Sequence, residues 1–437
     1  MLNISKSSKH MSVAGDVVTE EVIKEGELLA HQTRNFTFAG LAMVAVTFGL
    51  ARYGFGLFVP DISRDLSLSP DVIGLIAGSS YIGYLCATLS AAGISRHFGP
   101  RVPIVLGGVT AGLGMLLVGF SETGLGLLIA IFIAGTSPGL SYPPFSEVIV
   151  RQIYKQDQER TYAWINSGTG FGVAVAGPIV LFSAFDWRSA YMIFAGLALL
   201  VSIWNFSTIR TDVKDVTQDK QPSDQRVTPL DTGFAAVIKC AKARPLFVAA
   251  LGYGLASSAY WTFAVDLLYD AGDAENTRII FWSVLGTAGI FGFLAGWLTS
   301  NFGLRGSYCA LMVVTAVSIG ALPMIATSNY AIFASSAVFG LGFIVTTAFL
   351  GMWSLRIFDW APATGFAITF FLISLGQGIG PVLIGLCLRN GVEMDWIFGL
   401  CGLLCLALAF IIPPRADRCP IDGNVVKRAK SVFFSKN

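Results

Sequence analysis

The sequence predicts an all-α integral membrane protein, with 12 transmembrane helices in two pseudo-symmetric six-helix bundles. Three observations carry that prediction. First, the 437 residues are 54% hydrophobic and only 13% charged, with mean hydropathy +0.67, whereas soluble domains carry about 25% charged residues. Second, twelve apolar runs approach the roughly 20 residues needed to cross hydrocarbon. Third, the first half is written again in the second. FGLARYGFGLFVPDISRD at 48–65 returns as YGLASSAYWTFAVDLLYD at 253–270. Gly49, Leu50, Ala51, Phe58, Asp61 and Asp65 recur as Gly254, Leu255, Ala256, Phe263, Asp266 and Asp270. A repeat of this length is two fused half-molecules, and paired membrane halves imply a site between them.

The twelve spans fall at 36–59, 71–94, 103–120, 125–150, 162–184, 188–206, 246–268, 278–300, 306–326, 330–355, 363–388 and 394–413. The long polar interior segment TIRTDVKDVTQDKQPSDQRVTPLDTG divides them six and six, and a short amphipathic helix is expected at about 231–243. The expected organisation is a polar tail at 1–35, a first bundle at 36–206, a linker at 207–245, a second bundle at 246–413 and a tail at 414–437. The first 34 residues lack the apolar core of a signal peptide. With both termini cytoplasmic, most Lys and Arg lie inside, and Arg64, Arg188, Arg278 and Arg389 fall in outer loops. That asymmetry obeys the positive-inside rule and predicts a multi-pass protein of the cytoplasmic (inner) membrane.

Composition also excludes several classes. A net charge of +2 gives no footprint for nucleic acid. The seven cysteines fall mostly in apolar runs without His or carboxylate neighbours, so they read as apolar filler, and no metal or other cofactor is expected. Gly135-Thr136-Ser137-Pro138-Gly139 imitates a hydrolase nucleophile elbow. That motif needs a strand-to-helix turn and a later His. His10, His31 and His97 all precede it, so the chain is not read as an enzyme.

The repeat extends beyond the first span. AGISRHFGPR at 92–101 is answered by GWLTSNFGLR at 296–305, Arg151 by Arg356, Gly177-Pro178 by Gly380-Pro381, and Asp186-Trp187 by Asp395-Trp396. Over roughly 36–413 the chain resembles the major facilitator superfamily (MFS). Gly99 and Arg101, and Gly296, Gly303 and Arg305, match its Gly-x-x-x-Asp-Arg-x-Gly-Arg-Arg/Lys turn, while the Asp position holds Arg96 and Ser300. Gly376-x-x-x-Gly380-Pro381 matches the family's antiporter pattern, here on span 11 rather than span 5. Ala51-Arg52-Tyr53 with Pro60, INSGTGFGVAVAGP at 165–178 and DWRSAY at 186–191 resemble the bacterial YbfB-type branch. The resemblance implies a secondary transporter working by alternating access, with spans 1, 4, 7 and 10 lining a central cavity. It also implies gating roles for Gly99, Arg101, Gly177, Pro178, Gly303, Arg305, Gly380 and Pro381.

Arg52 is the foremost candidate for binding. An arginine inside a span costs about 2.5–3.5 kcal/mol on insertion scales and is a functional hypothesis by default. Its counterpart is Ser257, so the symmetry breaks at a charge. A planar donor fork suits an anionic substrate; the bland reading is an arginine that snorkels or bonds carbonyls. Tyr53 is its neighbour. Ser137 and Tyr142 lie in SPGLSYPPF, where three prolines free backbone carbonyls. Ser257, Ser258 and Trp261 on span 7, and Thr346 on span 10, stand opposite. Glu147 is the carboxylate well inside a span; it reads either as an i, i+4 partner of Arg151 or as a proton-coupling group. Asp61 and Asp266 read as loop caps, and Asn166 and Gln377 as interhelical glue.

The expected partners are a small organic substrate, an anion favoured, with membrane lipid around a monomer and protons as a candidate coupling ion. The rival reading is an efflux pump for neutral or cationic amphiphiles. A non-transporting membrane sensor is a third.

Overall fold

A computed structural model describes residues 31–183, 186–209, 237–272, 275–358 and 362–413. The tails, most of the 207–245 linker and the 231–236 part of the expected amphipathic helix lie outside the described residues. Residues 237–239 are helical, and a 3-10 turn, Ala241–Ala243, leads into the seventh long helix.

Twelve helices are present among the described residues. They are α1 (His31–Asp65), α2 (Pro70–Phe98), α3 (Arg101–Gly119), α4 (Gly124–Gln152), α5 (Lys155–Phe182), α6 (Trp187–Thr208), α7 (Arg244–Asp270), α8 (275–302), α9 (304–325), α10 (Asn329–Ile357), α11 (Pro362–Arg389) and α12 (Met394–Leu408). The helical hydrogen bonding of α8 and α9 is nearly continuous, and Gly303 is the break between them. Helices extend beyond the apolar runs, α1 being already helical at His31 and α5 starting at Lys155, because hydropathy marks only what crosses hydrocarbon. α12 is shorter than its expected span of 394–413: at 15 residues it covers about 22 Å, and the chain turns at Ala409–Phe410 before Pro413. The cysteines divide: Cys86, Cys309, Cys387, Cys401 and Cys405 are free, whereas Cys240, read with them as filler, is disulfide-bonded.

Each helix is apolar nearly all round, as lipid-facing bundles must be. Leu89 and Leu200 are 73% and 65% exposed, which suits hydrocarbon contact and would be an aggregation hazard in water. Inside, glycine lets backbones touch. A side chain at Gly49 of α1 would collide with Gly172 of α5. Between the two halves, one at Gly56 would meet the Trp261 carbonyl of α7, and one at Gly74 the Pro381 carbonyl of α11. On the other flank, Gly170 and Gly177 of α5 meet Ile290 and Ile279 of α8. All these crossings between halves run from the end carrying the 66–69 turn to about mid-bundle.

Polar links close the same end. Asp71 of α2 pairs with Arg389 of α11 at 2.8 Å. Arg64 of α1 donates to the Tyr269 hydroxyl of α7 at 2.9 Å, and Arg278 of α8 stands 4.0 Å from Asp61 of α1. The links through the exposed Arg389 and Arg64 contribute about 0–1 kcal/mol each, whereas the Arg278–Asp61 contact is largely buried; the glycine seam holds the closure and these contacts set its register. Asp61 also pairs with Arg64 at the end of its own helix at 2.9 Å, so it serves both that helix end and the contact between halves.

The repeat is visible in backbone angles. Gly99 (φ 78°, ψ 162°) and Gly303 (φ 71°, ψ 158°) share a conformation that is essentially restricted to glycine. Each turn then sends an arginine to the last helix of its own half or the segment just after it. Arg101 donates to the Phe206 carbonyl, and Arg305 to that of Pro413. Alanine at Gly99 or Gly303 should cost about 1–3 kcal/mol. Gly296, whose added Cβ would meet open space, should tolerate alanine within about 0.5 kcal/mol. Thermal unfolding of the three variants checks this, and equal stabilities would contradict it.

Candidate functional site

The backbone of α1 departs from α geometry where the charge sits. Ala45–Tyr53 forms a π-helix, and an ordinary α-helix resumes at Phe55. π segments are rare and concentrate at functional sites. The repeated stretch in α7 is α-helical throughout, so the two copies differ in hydrogen-bond register as well as in charge. Small residues allow it: Ala45 and Gly49 lie against Gly172 of α5.

Arg52 lies at the end of this segment and is 5% exposed. Its Nη2 donates across the seam to α11, to Ser374 Oγ at 3.3 Å and Gln377 Oε1 at 3.5 Å. Tyr84 and Tyr81 of α2 lie 4.2 and 4.5 Å from the guanidinium carbon by ring centroid, and Tyr53 and Phe48 lie 5.5 and 5.6 Å away. These rings and two long neutral hydrogen bonds partly solvate the cation. No carboxylate among the described residues forms an ion pair with it, and its Nε–H has no acceptor.

A small pocket opens beside it, lined by Arg52, Tyr53, Ser80, Tyr81, Trp261 and Thr262 with apolar neighbours. Four buried polar groups at or beside this spot lack a partner: Arg52 Nε, Ser80 Oγ, Trp261 Nε1 and Gln377 Nε2. Three can only donate and the serine can do so. Convergent orphan donors are expensive unless an acceptor arrives.

The candidates named from sequence separate into three groups. Arg52, Tyr53 and Trp261 come together, with Tyr53 stacked on Trp261 at 4.1 Å. Tyr142 stands next to them, edge-on to Phe48 at 5.5 Å; its hydroxyl is tied to Tyr162 at 2.8 Å and to Asn166 at 2.9 Å. Ser137, Ser257, Ser258 and Thr346 do not join. Pro138 strips the Ala134 carbonyl of its helical donor, and Ser137 Oγ replaces it at 2.6 Å. Ser257 and Ser258 bond the Gly254 and Leu255 carbonyls, and Thr346 is fully buried. Glu147 lies apart, toward the end opposite the 66–69 turn, paired with Arg151 at 2.5 Å and accepting from Ser95 at 2.6 Å. Gly177 packs on Ser283 of α8, and Gly380 on Ser258 of α7; the Pro381 carbonyl meets Gly74. The Gly-Pro steps thus lie on packing seams.

Sequence reasoning missed Phe48, Tyr81, Tyr84, Ser80 and Ser374, and read Gln377 as glue. Phe48 carried a signal, since it precedes Arg52 by four residues and shares its face. The α2 tyrosines had none without knowing that α2 packs beside α1.

The Major Facilitator Superfamily pattern matches residues 41–273. Monocarboxylate transporter 12 of Homo sapiens is 23% identical over 73% of this chain and 67% of its own length. Its Xenopus laevis counterpart is 25% identical over 52% of this chain and 54% of its own, so the chain spans about half to two thirds of these relatives. The hexuronate transporter of Bacillus subtilis is 24% identical over 41% and 43%. Among solved structures, a bacterial homolog of the human lysosomal transporter Spinster, in an inward-facing, unoccupied conformation, superposes with TM-score 0.67 at 16% identity, covering 92% of this chain and 95% of that one. The nucleoside transporter NupG gives 0.69 at 13%, covering 87% and 97%. These likenesses share the fold, and the family pattern covers more than half of the sequence. The chain, a multi-pass membrane protein, belongs to the Major Facilitator Superfamily.

Proposed function

We propose that the protein is a secondary transporter that carries a small organic anion across the cytoplasmic membrane by alternating access, with both termini in the cytoplasm. The observation that carries this reading is Arg52, a buried cation at the seam with no carboxylate partner. An anion there supplies the missing counter-charge and satisfies the orphan donors around it. The names of the relatives, carriers of monocarboxylates and a hexuronate, support the same sign of charge. A buried unpaired arginine repels cations, which disfavours an efflux pump for cationic amphiphiles.

Closure of the halves at the 66–69 end supports an inward-facing state, since that end lies outside in the proposed orientation. Rocking would transfer the closure to the other end. Arg52 takes part because its hydrogen bonds already cross to α11. An anion that captures its fork competes with Ser374 and Gln377, so occupancy changes the links between halves.

Proton coupling is the finer proposal, and Glu147 is its candidate. Its carboxylate is partly exposed and held by Arg151 and by Ser95 of α2, contacts at the end that rocking would rearrange.

Two outcomes test this. Arg52→Gln should lower uptake efficiency for radiolabelled organic anions in proteoliposomes by about 10- to 100-fold, the worth of one or two charge-assisted hydrogen bonds. Unchanged uptake would sink the clamp. Glu147→Gln should abolish accumulation driven by a pH gradient and preserve substrate exchange between preloaded vesicles. Accumulation at the wild-type level would remove Glu147 from coupling.

A further inference from the structure

The clamp accounts for one charge and leaves open the body that carries it. The groups around Arg52 are informative on that point. Its guanidinium faces carry rings, its buried Nε–H has no acceptor, and Nη2 makes two long bonds to α11. A carboxylate at this edge would supply the acceptor that Nε–H lacks.

The charge of the site is limited to one. The pocket lining contains Arg52 and no second Lys or Arg. A phosphate monoester with two negative charges would leave one uncompensated in a medium of low dielectric. Hydrogen-bonding capacity is limited too. Beside Arg52 the buried unpartnered groups are Ser80 Oγ, Trp261 Nε1 and Gln377 Nε2, donors that suit a carboxylate. The rest of the surroundings is aromatic. Phe48 meets Tyr84 edge-on at 6.1 Å and Tyr142 at 5.5 Å, while Tyr53 stacks on Trp261. Phe48 and Tyr142 are only partly buried, so they retain ring surface beside the cation.

We infer that the substrate is a small monocarboxylate with a flat aromatic body, its carboxylate on the edge of Arg52 and its ring against Phe48 and Tyr142. This rests on the anion-transport reading above. It narrows that reading to one charge and one shape.

The test is equilibrium binding to the purified full chain in nanodiscs. The probes are benzoate, cyclohexanecarboxylate, benzamide, glucuronate and glycerol 3-phosphate. Benzoate should bind about 5-fold more tightly than cyclohexanecarboxylate, the worth of one aromatic contact. It should exceed benzamide, glucuronate and glycerol 3-phosphate by about 10-fold or more. Phe48→Leu should bring the benzoate to cyclohexanecarboxylate ratio close to one, and Phe48→Tyr should restore it. Because the readout is a ratio within one protein, a general loss of stability does not imitate it.

Tighter binding of glucuronate or glycerol 3-phosphate than of benzoate would overturn the aromatic class. If Arg52→Gln also abolished that binding, the anion reading would survive. An unchanged ratio in Phe48→Leu, or no saturable benzoate binding, would likewise overturn the class. Equal binding of benzoate and benzamide, insensitive to Arg52→Gln, would remove both readings.

Discussion

One buried positive charge organises this molecule. Arg52 is placed where a guanidinium is costly, and the structure around it reduces that cost without cancelling the charge. Aromatic faces and two neutral acceptors from the opposite half do what a carboxylate would do more completely. Incomplete compensation is what a binding site requires. An internal ion pair would be more comfortable and would have nothing left for a substrate. The orphan donors at Ser80, Trp261 and Gln377 extend the same logic.

The scaffold makes that charge conditional on conformation. Backbones approach through glycine at Gly56, Gly74 and Gly170, so the seam is stiff where it is closed. Asp71 with Arg389, and Arg64 with Tyr269, fix its register at the end. Arg52 lies near the inner limit of this closure and spans it. A ligand that competes for its fork thus acts on the contact between halves, which is the differential interaction that a population shift needs.

Much of this was legible in the sequence, and the illegible part has physical causes. The repeat gave both halves, and the matching angles of Gly99 and Gly303 show how literal it is. Arg52 was visible because a charge in an apolar run has no bland explanation of equal weight. Its surroundings were not. Tyr81 and Tyr84 enter only through the packing of α2 on α1, which no spacing within either helix encodes. The π segment at Ala45–Tyr53 is hidden for another reason. The matching stretch of α7 keeps Ala250, Gly254, Leu255 and Ala256 yet stays α-helical, so those shared residues alone do not encode the register change. Ser137 was read as facing a site, but the proline beside it gave it a carbonyl to satisfy. The length of α12 was overestimated because apolar residues continue past the last helical turn.

The central claim is that Arg52 binds an anion because it has no internal partner. Gln377→Glu tests this most directly, since it places a carboxylate where Oε1 already lies 3.5 Å from Nη2 with little change in shape. Calorimetric titration of the variant with benzoate, alongside its thermal unfolding, gives the answer. The account predicts that the new internal pair raises the unfolding temperature and weakens anion binding by about 100-fold. Undiminished anion affinity in a folded Gln377→Glu protein would contradict it.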